Sequence, residues 1–237
     1  KRACEQCQGE TVTSLSRDNV TSNAMKKEID NSNLDKKLLD RFIVDDSNDK
    51  RRDYIISFIN AIEQSQNGNI KESVKKIEWI FKDEIHPKKM ALLSIIKILT
   101  KYEQYCEDSL MGFYNIITAT LEPKLPKVTR GAPKIFYNSV SYKEIAICTN
   151  ISEDSSDHVT IHKAKGAEFD NVFLVSNKNL LDFLINPDLN GKEEHRVLYV
   201  ALSRARNRLF IHFDELKKSE EKKIQTKYPY LIFDRVQ

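Results

Sequence analysis

Strand-like and helix-like segments alternate at both ends of this chain, whereas its middle has helical periodicity throughout. Residues 11–16, TVTSLS, are rich in β-branched residues and are predicted to form a strand. The segment that follows, RDNVTSNAMKKEID, is predicted to be a helix with Asp18 and Asn19 as candidate caps. From about residue 33 to residue 122, apolar residues recur at helical spacing. A strand followed at once by a helix is typical of α/β proteins. The helical block in the middle of the chain therefore interrupts an α/β pattern.

The α/β pattern returns after residues 122–134, EPKLPKVTRGAPK, which hold three prolines and a glycine and are predicted to be a linker. The strands predicted beyond it are EIAICTNI (144–151), HVTIH (158–162), NVFLV (171–175) and RLFIHF (208–213). A helix, KEEHRVLYVALSRARN, is predicted between the last two of these strands. We therefore expect an α/β fold, a parallel sheet flanked by helices, into which an all-helical subdomain is inserted. The expected parts are residues 1–32 and 135–237 for the sheet domain and 33–134 for the insertion.

Composition excludes several classes of protein. The chain has 237 residues, of which 40% are hydrophobic and 31% charged, and this balance is typical of a globular domain with a proper core. No apolar run approaches the ~20 residues of a membrane span, and the start, KRACEQCQGE, has no apolar signal-peptide region. We expect a cytoplasmic protein without a membrane partner. The net charge of +3 neither requires nor excludes a phosphate-bearing partner.

The four cysteines suit a reducing compartment, where thiols stay free. Cys4 and Cys7 form a C-x-x-C pair, which is found in zinc and redox sites. No second pair or nearby pair of histidines completes it, so we expect no metal site. Because the chain begins at Lys1 and its first methionine is Met25, we also expect it to be part of a longer polypeptide.

A group of polar residues between HVTIH and NVFLV forms the first candidate site. It contains His162, Lys163, Lys165, Gly166 and Glu168. In open parallel sheets, ligands bind beyond the carboxyl ends of the strands, where this group is expected to lie. A glycine permits a positive φ and close approach of a phosphate, lysines add positive charge, a histidine ring can stack on a base, and a glutamate suits a ribose hydroxyl. The composition favours a nucleotide or nucleic acid, although a basic turn between two strands would look similar.

Arg204 is the second candidate, in the last turn of the predicted helix. An arginine at a helix end often complements the helix dipole and is solvated. A planar, permanently charged guanidinium held rigidly there could instead reach a phosphate. Arg208, at the expected start of the next strand, is predicted to be structural.

Two stretches together resemble a known family. TIHKAKGAEFDNVFL and LYVALSRARNRLFI closely resemble motifs V and VI of the UvrD/Rep/PcrA-type superfamily-1 helicases. That family writes them roughly as T-[IVLM]-H-x-[AS]-K-G-L-E-F and [LVA]-Y-V-[AG]-x-[ST]-R-A, so Ala167 replaces the common leucine. TVTSLSRDNVTSNAMKKEI resembles motif IV more loosely. The resemblance implies a second RecA-like domain, with a helical subdomain inserted between motifs IV and V, where this chain has its helical block.

The resemblance also implies roles for single residues. Arg204 matches an arginine finger that acts on the γ-phosphate of ATP, and Arg17 matches a second arginine that approaches the same phosphate. Glu168 matches the glutamate that binds the ribose, and Gly166 matches the glycine beside the nucleotide.

Contacts with single-stranded DNA are implied at the other end of motif V. The positions that match them are Thr160, His162 and, next to them, Lys163. Single-stranded DNA is therefore an expected partner. A fused or associated nuclease is a further partner that the resemblance leaves open.

ATP hydrolysis in this family requires a first RecA-like domain, which contains the P-loop G-x-x-x-x-G-K-[ST] and an acidic pair that binds Mg²⁺. None of the six glycines of this chain fits a P-loop, since Gly191-Lys192 is followed by Glu193. The expected cofactors, ATP and Mg²⁺, would be bound jointly with that N-terminal domain, and the isolated chain is predicted to be inactive. A helicase-derived module that binds nucleic acid or a partner protein without ATP turnover remains the alternative.

Overall fold

The computed structural model describes residues 2–30, 34–120, 125–151 and 156–234. The strands are β1 (Val12–Ser16), β2 (His158–Thr160), β3 (Phe169–Leu174) and β4 (Ala205–Ile211). The α-helices are α1 (Arg2–Gln6), α2 (Asn19–Lys26), α3 (Leu38–Asp45), α4 (Asp49–Gln66), α5 (Ile70–Ile77), α6 (Pro87–Leu99), α7 (Tyr102–Tyr105), α8 (Leu110–Thr120), α9 (Ala132–Ser139), α10 (Tyr142–Ala146), α11 (Leu180–Ile185), α12 (Glu193–Leu202) and α13 (Lys218–Lys227). A 3₁₀-helix spans Glu78–Phe81.

The chain divides into a sheet unit, residues 1–18 and 156–237, and a helical unit, residues 19–155. In the sheet unit the strands are all parallel and lie in the order β2-β1-β3-β4. The expected α/β fold with a parallel sheet is therefore confirmed. The central strand β1 pairs with β2 through Leu15 and Val159, and with β3 through Leu15 and Leu174.

The core of the sheet unit lies between the strands and helices α11, α12 and α13. Its fully buried members include Leu15, Val172, Leu174, Leu198 and Ala201. Leu198 and Ala201 occupy successive turns of α12, so this helix buries one face and keeps its charged first turn near solvent. The small alanine lets the helix lie close to its neighbours. The packing fixes α12, whose C-cap Ser203 directly precedes the candidate residue Arg204.

The helical unit is built around the long helix α4. Asn48 caps this helix by accepting a hydrogen bond from the backbone N–H of Arg51. The core of this unit contains buried aromatic and aliphatic side chains, among them Phe58 of α4 itself and Phe42, Phe113 and Phe136 of other helices. Phe42 and Phe136 stack in parallel, with ring centroids 5.0 Å apart.

A buried charged pair also ties the helical unit together. The Arg51 Nε donates to Asp46 Oδ2 at 2.8 Å, and Tyr137 donates its hydroxyl proton to the same oxygen at 3.0 Å. The Asp46 side chain is wholly buried and that of Arg51 is 7% exposed. Arg51 Nη1 also donates to the carbonyl oxygen of Lys127, at 3.0 Å. The pair therefore joins α4 to the segment that was expected to be a linker.

The helical unit is longer at both ends than the expected insertion of residues 33–134, since it runs from residue 19 to residue 155. The Asn23 side chain on α2 donates to the carbonyl oxygens of Ile147 and Thr149 at 2.8 and 2.6 Å. Helices α9 and α10 pack against α3, α4 and α8. These contacts join residues on both sides of the expected boundaries to the helical core.

The prediction of a strand at residues 144–151 is wrong. Tyr142–Ala146 forms α10, and a turn follows it. A capping box starts this helix, because the Ser141 side chain accepts from the Glu144 N–H while Glu144 accepts from the Ser141 N–H. Tyr142 and Ile145 then fall on its buried face. The cap and the helical spacing outweighed the β-branched residues that follow.

Within the predicted linker, residues 122–124 lie outside the described parts, 125–131 have no regular structure, and α9 starts at Ala132. Among the described residues, no helix combines the length and apolar character that crossing a membrane requires.

Candidate functional site

The candidate residues divide between the two edges of the parallel sheet. Arg17 directly follows β1 and His162 comes two residues after β2, so both lie at the carboxyl edge. Glu168 directly precedes β3 and Arg204 directly precedes β4, so both lie at the amino edge. Parallel strands present like ends at the same edge, and these two groups are therefore separate.

This division bears on two expectations. Arg17 and Arg204 were expected to approach the same phosphate, but they lie at opposite edges of the sheet. The polar group of residues 162–168 was expected to lie wholly beyond the carboxyl end of a strand. Instead, the segment from Ile161 to Glu168 carries the chain from the carboxyl edge of β2 to the amino edge of β3. A short connection between parallel strands must return along the sheet, so its two ends serve different edges.

The carboxyl-edge cluster consists of Arg17, His162 and Glu194. The Arg17 guanidinium donates to both carboxylate oxygens of Glu194, from Nε at 2.9 Å and from Nη2 at 2.6 Å. Its third nitrogen, Nη1, lies 3.4 Å from Nδ1 of His162. The His162 side chain itself is exposed. The cluster thus holds a fixed cation beside an exposed aromatic ring.

The pair between Arg17 and Glu194 favours the charged form of both groups. The hydrogen bond from Arg17 lowers the pKa of the Glu194 carboxyl, with a smaller effect of nearby charges that include His162. The same hydrogen bond raises the pKa of Arg17. The two side chains are about one third exposed, so solvent screens the pair, and we assign it a geometric rather than a stabilising role.

The segment after β2 is a tight turn. The backbone N–H groups of Lys163 and Ala164 donate to the Thr160 carbonyl oxygen at 3.0 and 3.1 Å. The Thr160 side chain is buried, and its hydroxyl accepts from the Lys163 N–H at 3.4 Å. Gly166 has a φ of 80°, the left-handed conformation that the sequence suggested. The backbone at Gly166 is exposed and a Cβ atom added there would meet no atom within 4 Å, so a ligand could approach this position.

Arg204 is the main candidate residue at the amino edge of the sheet. It lies two residues beyond Leu202, where α12 ends, rather than in the last helical turn as expected. Its guanidinium donates to the carbonyl oxygens of Val200 at 3.1 Å and Ala167 at 3.0 Å, and to the Ser203 hydroxyl at 3.1 Å. Each of these acceptors is neutral. Within the described residues, Arg204 forms no ion pair with a carboxylate, so its charge is held in place without being neutralised.

The other arginines nearby do have carboxylate partners. Arg206 Nε donates to Glu168 Oε2 at 3.0 Å, and Arg208 Nη1 donates to Glu10 Oε2 at 2.9 Å. Arg208 lies within β4, not at its start as expected. The buried Asn171 also donates to Glu10, at 3.0 Å. That hydrogen bond is the main cause of the lowered pKa of the Glu10 carboxyl, followed by the charge of Arg208.

Sequence reasoning missed Glu194. It lies in the first turn of α12, where an acidic residue is commonplace because it complements the helix dipole. Its partner, Arg17, is 177 residues away in the sequence. The available signal was the position of Glu194, four residues before the segment that resembles motif VI.

Cys4 is exposed, Cys7 is buried, and both are free thiols. In the described parts of the chain, no group of three or more His, Cys, Asp or Glu side chains could hold a metal ion.

Comparison with known proteins places these motifs in a family. The family model described as the UvrD-like helicase C-terminal domain matches residues 11–215. The ATP-dependent DNA helicase Rep of Buchnera aphidicola subsp. Schizaphis graminum is 31% identical over 104 residues, which cover 43% of this chain and 16% of that protein. The aligned stretch is thus a small part of the relative's length. No solved structure matches the chain.

Proposed function

Because this chain belongs to the UvrD-like helicase C-terminal domain family, we propose that it is the C-terminal motor half of an ATP-dependent DNA helicase or translocase. In this proposal, the chain supplies an arginine finger and contacts to single-stranded DNA. A separate RecA-like domain supplies the P-loop and the acidic residues that hold Mg²⁺ with ATP. We call this chain together with that domain the complete protein.

The observation that supports the proposal best is the set of hydrogen-bond partners of the Arg204 guanidinium. Neutral acceptors hold its guanidinium in place, whereas Arg17, Arg206 and Arg208 each have a carboxylate partner. An arginine finger has to present an uncompensated charge to the γ-phosphoryl group while that group passes from ADP to the attacking water. A guanidinium oriented before the reaction needs little rearrangement in the transition state.

The nucleotide would meet two further groups at the same edge. Gly166 has a backbone that a ligand can approach, and Glu168 has an exposed carboxylate suited to a ribose hydroxyl. Glu168 now pairs with Arg206, and that pair is more than half exposed on both sides. Exchange of this weak pair for a ribose contact would therefore cost little.

Single-stranded DNA would bind at the carboxyl edge. The exposed His162 ring can stack on a base, and Lys163 adds a positive charge beside it. Contacts of this kind are tolerant of sequence, as a translocating motor requires. The Thr160 hydroxyl is engaged within the turn, so its part would be to shape the turn that presents His162.

The isolated chain is expected to bind single-stranded DNA weakly and not to hydrolyse ATP, because it has no P-loop. Fluorescence anisotropy with a labelled oligo-dT at low salt measures the first property, and phosphate release measures the second. His162→Ala is expected to weaken binding about fivefold or more, since loss of one stacking contact costs ~1–3 kcal/mol. Affinity should also fall as salt rises.

His86→Ala is the matched control, because His86 is an exposed histidine of the helical unit. We expect it to leave the affinity for oligo-dT unchanged. Equal losses in the two variants, or ATP turnover by the isolated chain, would contradict the assignment.

A further inference from the structure

The carboxyl-edge cluster suggests a role for Glu194, and this inference depends on the proposed motor function. Glu194 contacts Arg17 through two hydrogen bonds, at 2.9 and 2.6 Å. Paired contacts of this kind fix both the position and the plane of a guanidinium. A long arginine side chain would otherwise lose considerable rotamer freedom whenever it met a ligand.

The geometry leaves one end of the guanidinium directed away from Glu194. Glu194 uses Nε and Nη2, whereas Nη1 lies 3.4 Å from the His162 ring. If DNA stacks on the His162 ring and shifts its position, the contact between this ring and Arg17 therefore changes as well. The Glu194 carboxylate thus occupies Nε and Nη2 of Arg17 and leaves Nη1 for an anionic ligand or for His162.

The three residues come from three different parts of the sheet unit. Arg17 follows β1, His162 follows β2, and Glu194 lies in the first turn of α12. The same helix leads to Arg204, which directly follows its C-cap Ser203. Buried Leu198 and Ala201 anchor the helix in between. One packed helix thus connects the carboxyl-edge cluster with the proposed finger.

We propose that Glu194 is a positioning residue that holds Arg17 against His162 and thereby couples the binding of single-stranded DNA to ATP hydrolysis. Glu194 itself contacts neither ATP nor DNA in this proposal. Without its carboxylate, Arg17 stays charged but loses its fixed orientation. The DNA-stimulated rate then falls, while the residues proposed to hold the nucleotide remain in place.

The test is a double-mutant cycle in the complete protein, with Glu194→Gln and Arg17→Ala made singly and together. Glu194→Gln should lower the kcat for ATP hydrolysis with saturating oligo-dT about tenfold or more, by analogy with the loss caused by removal of a group that orients a metal ligand. The KM for ATP should change less than twofold. In the Arg17→Ala background, Glu194→Gln should have no further effect, because the group that it positions is gone.

Glu193→Gln is the control, because Glu193 is the exposed neighbour with the same charge and no hydrogen bond to Arg17. It should leave kcat within twofold of wild type. Glu194→Asp, which keeps the charge, should recover part of the lost rate.

Three outcomes overturn the inference. The first is a Glu194→Gln rate equal to that of Glu193→Gln, and the second is a loss that persists in full in the Arg17→Ala background. The third is a faster rate in Glu194→Gln, which would mean that Glu194 restrains Arg17 instead of supporting it. Each leaves the motor function intact if wild type hydrolyses ATP in response to DNA; absence of that activity in wild type would overturn the proposed function itself.

Discussion

Arg204→Ala in the complete protein is expected to lower DNA-stimulated ATP hydrolysis by about 10²–10³-fold. The guanidinium is held by the carbonyl oxygens of Val200 and Ala167 and has no carboxylate partner within the described residues. Its charge would therefore stabilise the γ-phosphoryl group chiefly in the transition state, so the loss should appear in kcat more than in the KM for ATP. Steady-state phosphate release with saturating oligo-dT measures both quantities.

Two further variants make this prediction specific. Arg204→Lys keeps the charge but loses the planar fork, so it should recover only a small part of the rate. Arg196→Ala removes an exposed arginine of α12 that donates to the Leu189 carbonyl oxygen, and it should stay within a few fold of wild type. If Arg204→Ala and Arg196→Ala give similar rates, Arg204 is not the finger.

Asp46→Ala is expected to lower the free energy of unfolding by about 3–5 kcal/mol. It removes the acceptor of Arg51 and Tyr137, so a guanidinium with a 7% exposed side chain would be left buried without its counter-charge. The cost arises mainly from that unpaired charge, not from the attraction that is lost. Urea unfolding of the isolated chain, followed by circular dichroism, measures the change.

Asp53→Ala is the control for this stability measurement, because Asp53 is an exposed residue of α4. A change within about 0.5 kcal/mol is expected at such a surface position. Replacement of both Asp46 and Arg51 by apolar residues should recover part of the stability lost in Asp46→Ala. A loss below about 1 kcal/mol in Asp46→Ala would show that the buried pair is unimportant for stability.

The strands of the sheet could be predicted because each one has a distinctive local composition. TVTSLS, HVTIH, NVFLV and RLFIHF are short apolar or β-branched runs, and all four overlap strands of the observed sheet. The one false strand, at residues 144–151, has the same composition. There the Ser141–Glu144 capping box and the buried face of α10 favour a helix, and neither is visible in the residue composition alone.

The helical insertion was predicted from its periodicity at residues 33–134, whereas the helical unit of the structure runs from residue 19 to residue 155. Its first helix, α2, is held by hydrogen bonds from Asn23 to carbonyl groups more than 120 residues away in the sequence. Contacts over such distances leave no local signal. Asp46 and Arg51 are close in the sequence, but the burial of this pair depends on distant residues such as Tyr137, 91 residues from Asp46. The pair therefore could not be told from ordinary charged residues.

The position and backbone conformation of some candidate residues could be predicted, whereas their contacts could not. The two strong motifs identified Gly166, whose left-handed φ the structure contains, and placed Arg204 near the end of α12. The division of the residues between two edges depends on which strands are neighbours, and that follows from the sheet order alone. Glu194 emerged only from its contact with Arg17, since the two residues lie in separate segments that the fold brings together.

The most direct test of the central claim is ATP hydrolysis by the complete protein, measured with and without oligo-dT. We expect turnover that rises with single-stranded DNA, because Arg204 and Arg17 belong to the same sheet unit as His162. Hydrolysis that does not respond to DNA, or no hydrolysis in either condition, would contradict it. This chain would then be a nucleic-acid or partner-binding module with the fold of a motor domain and without its activity.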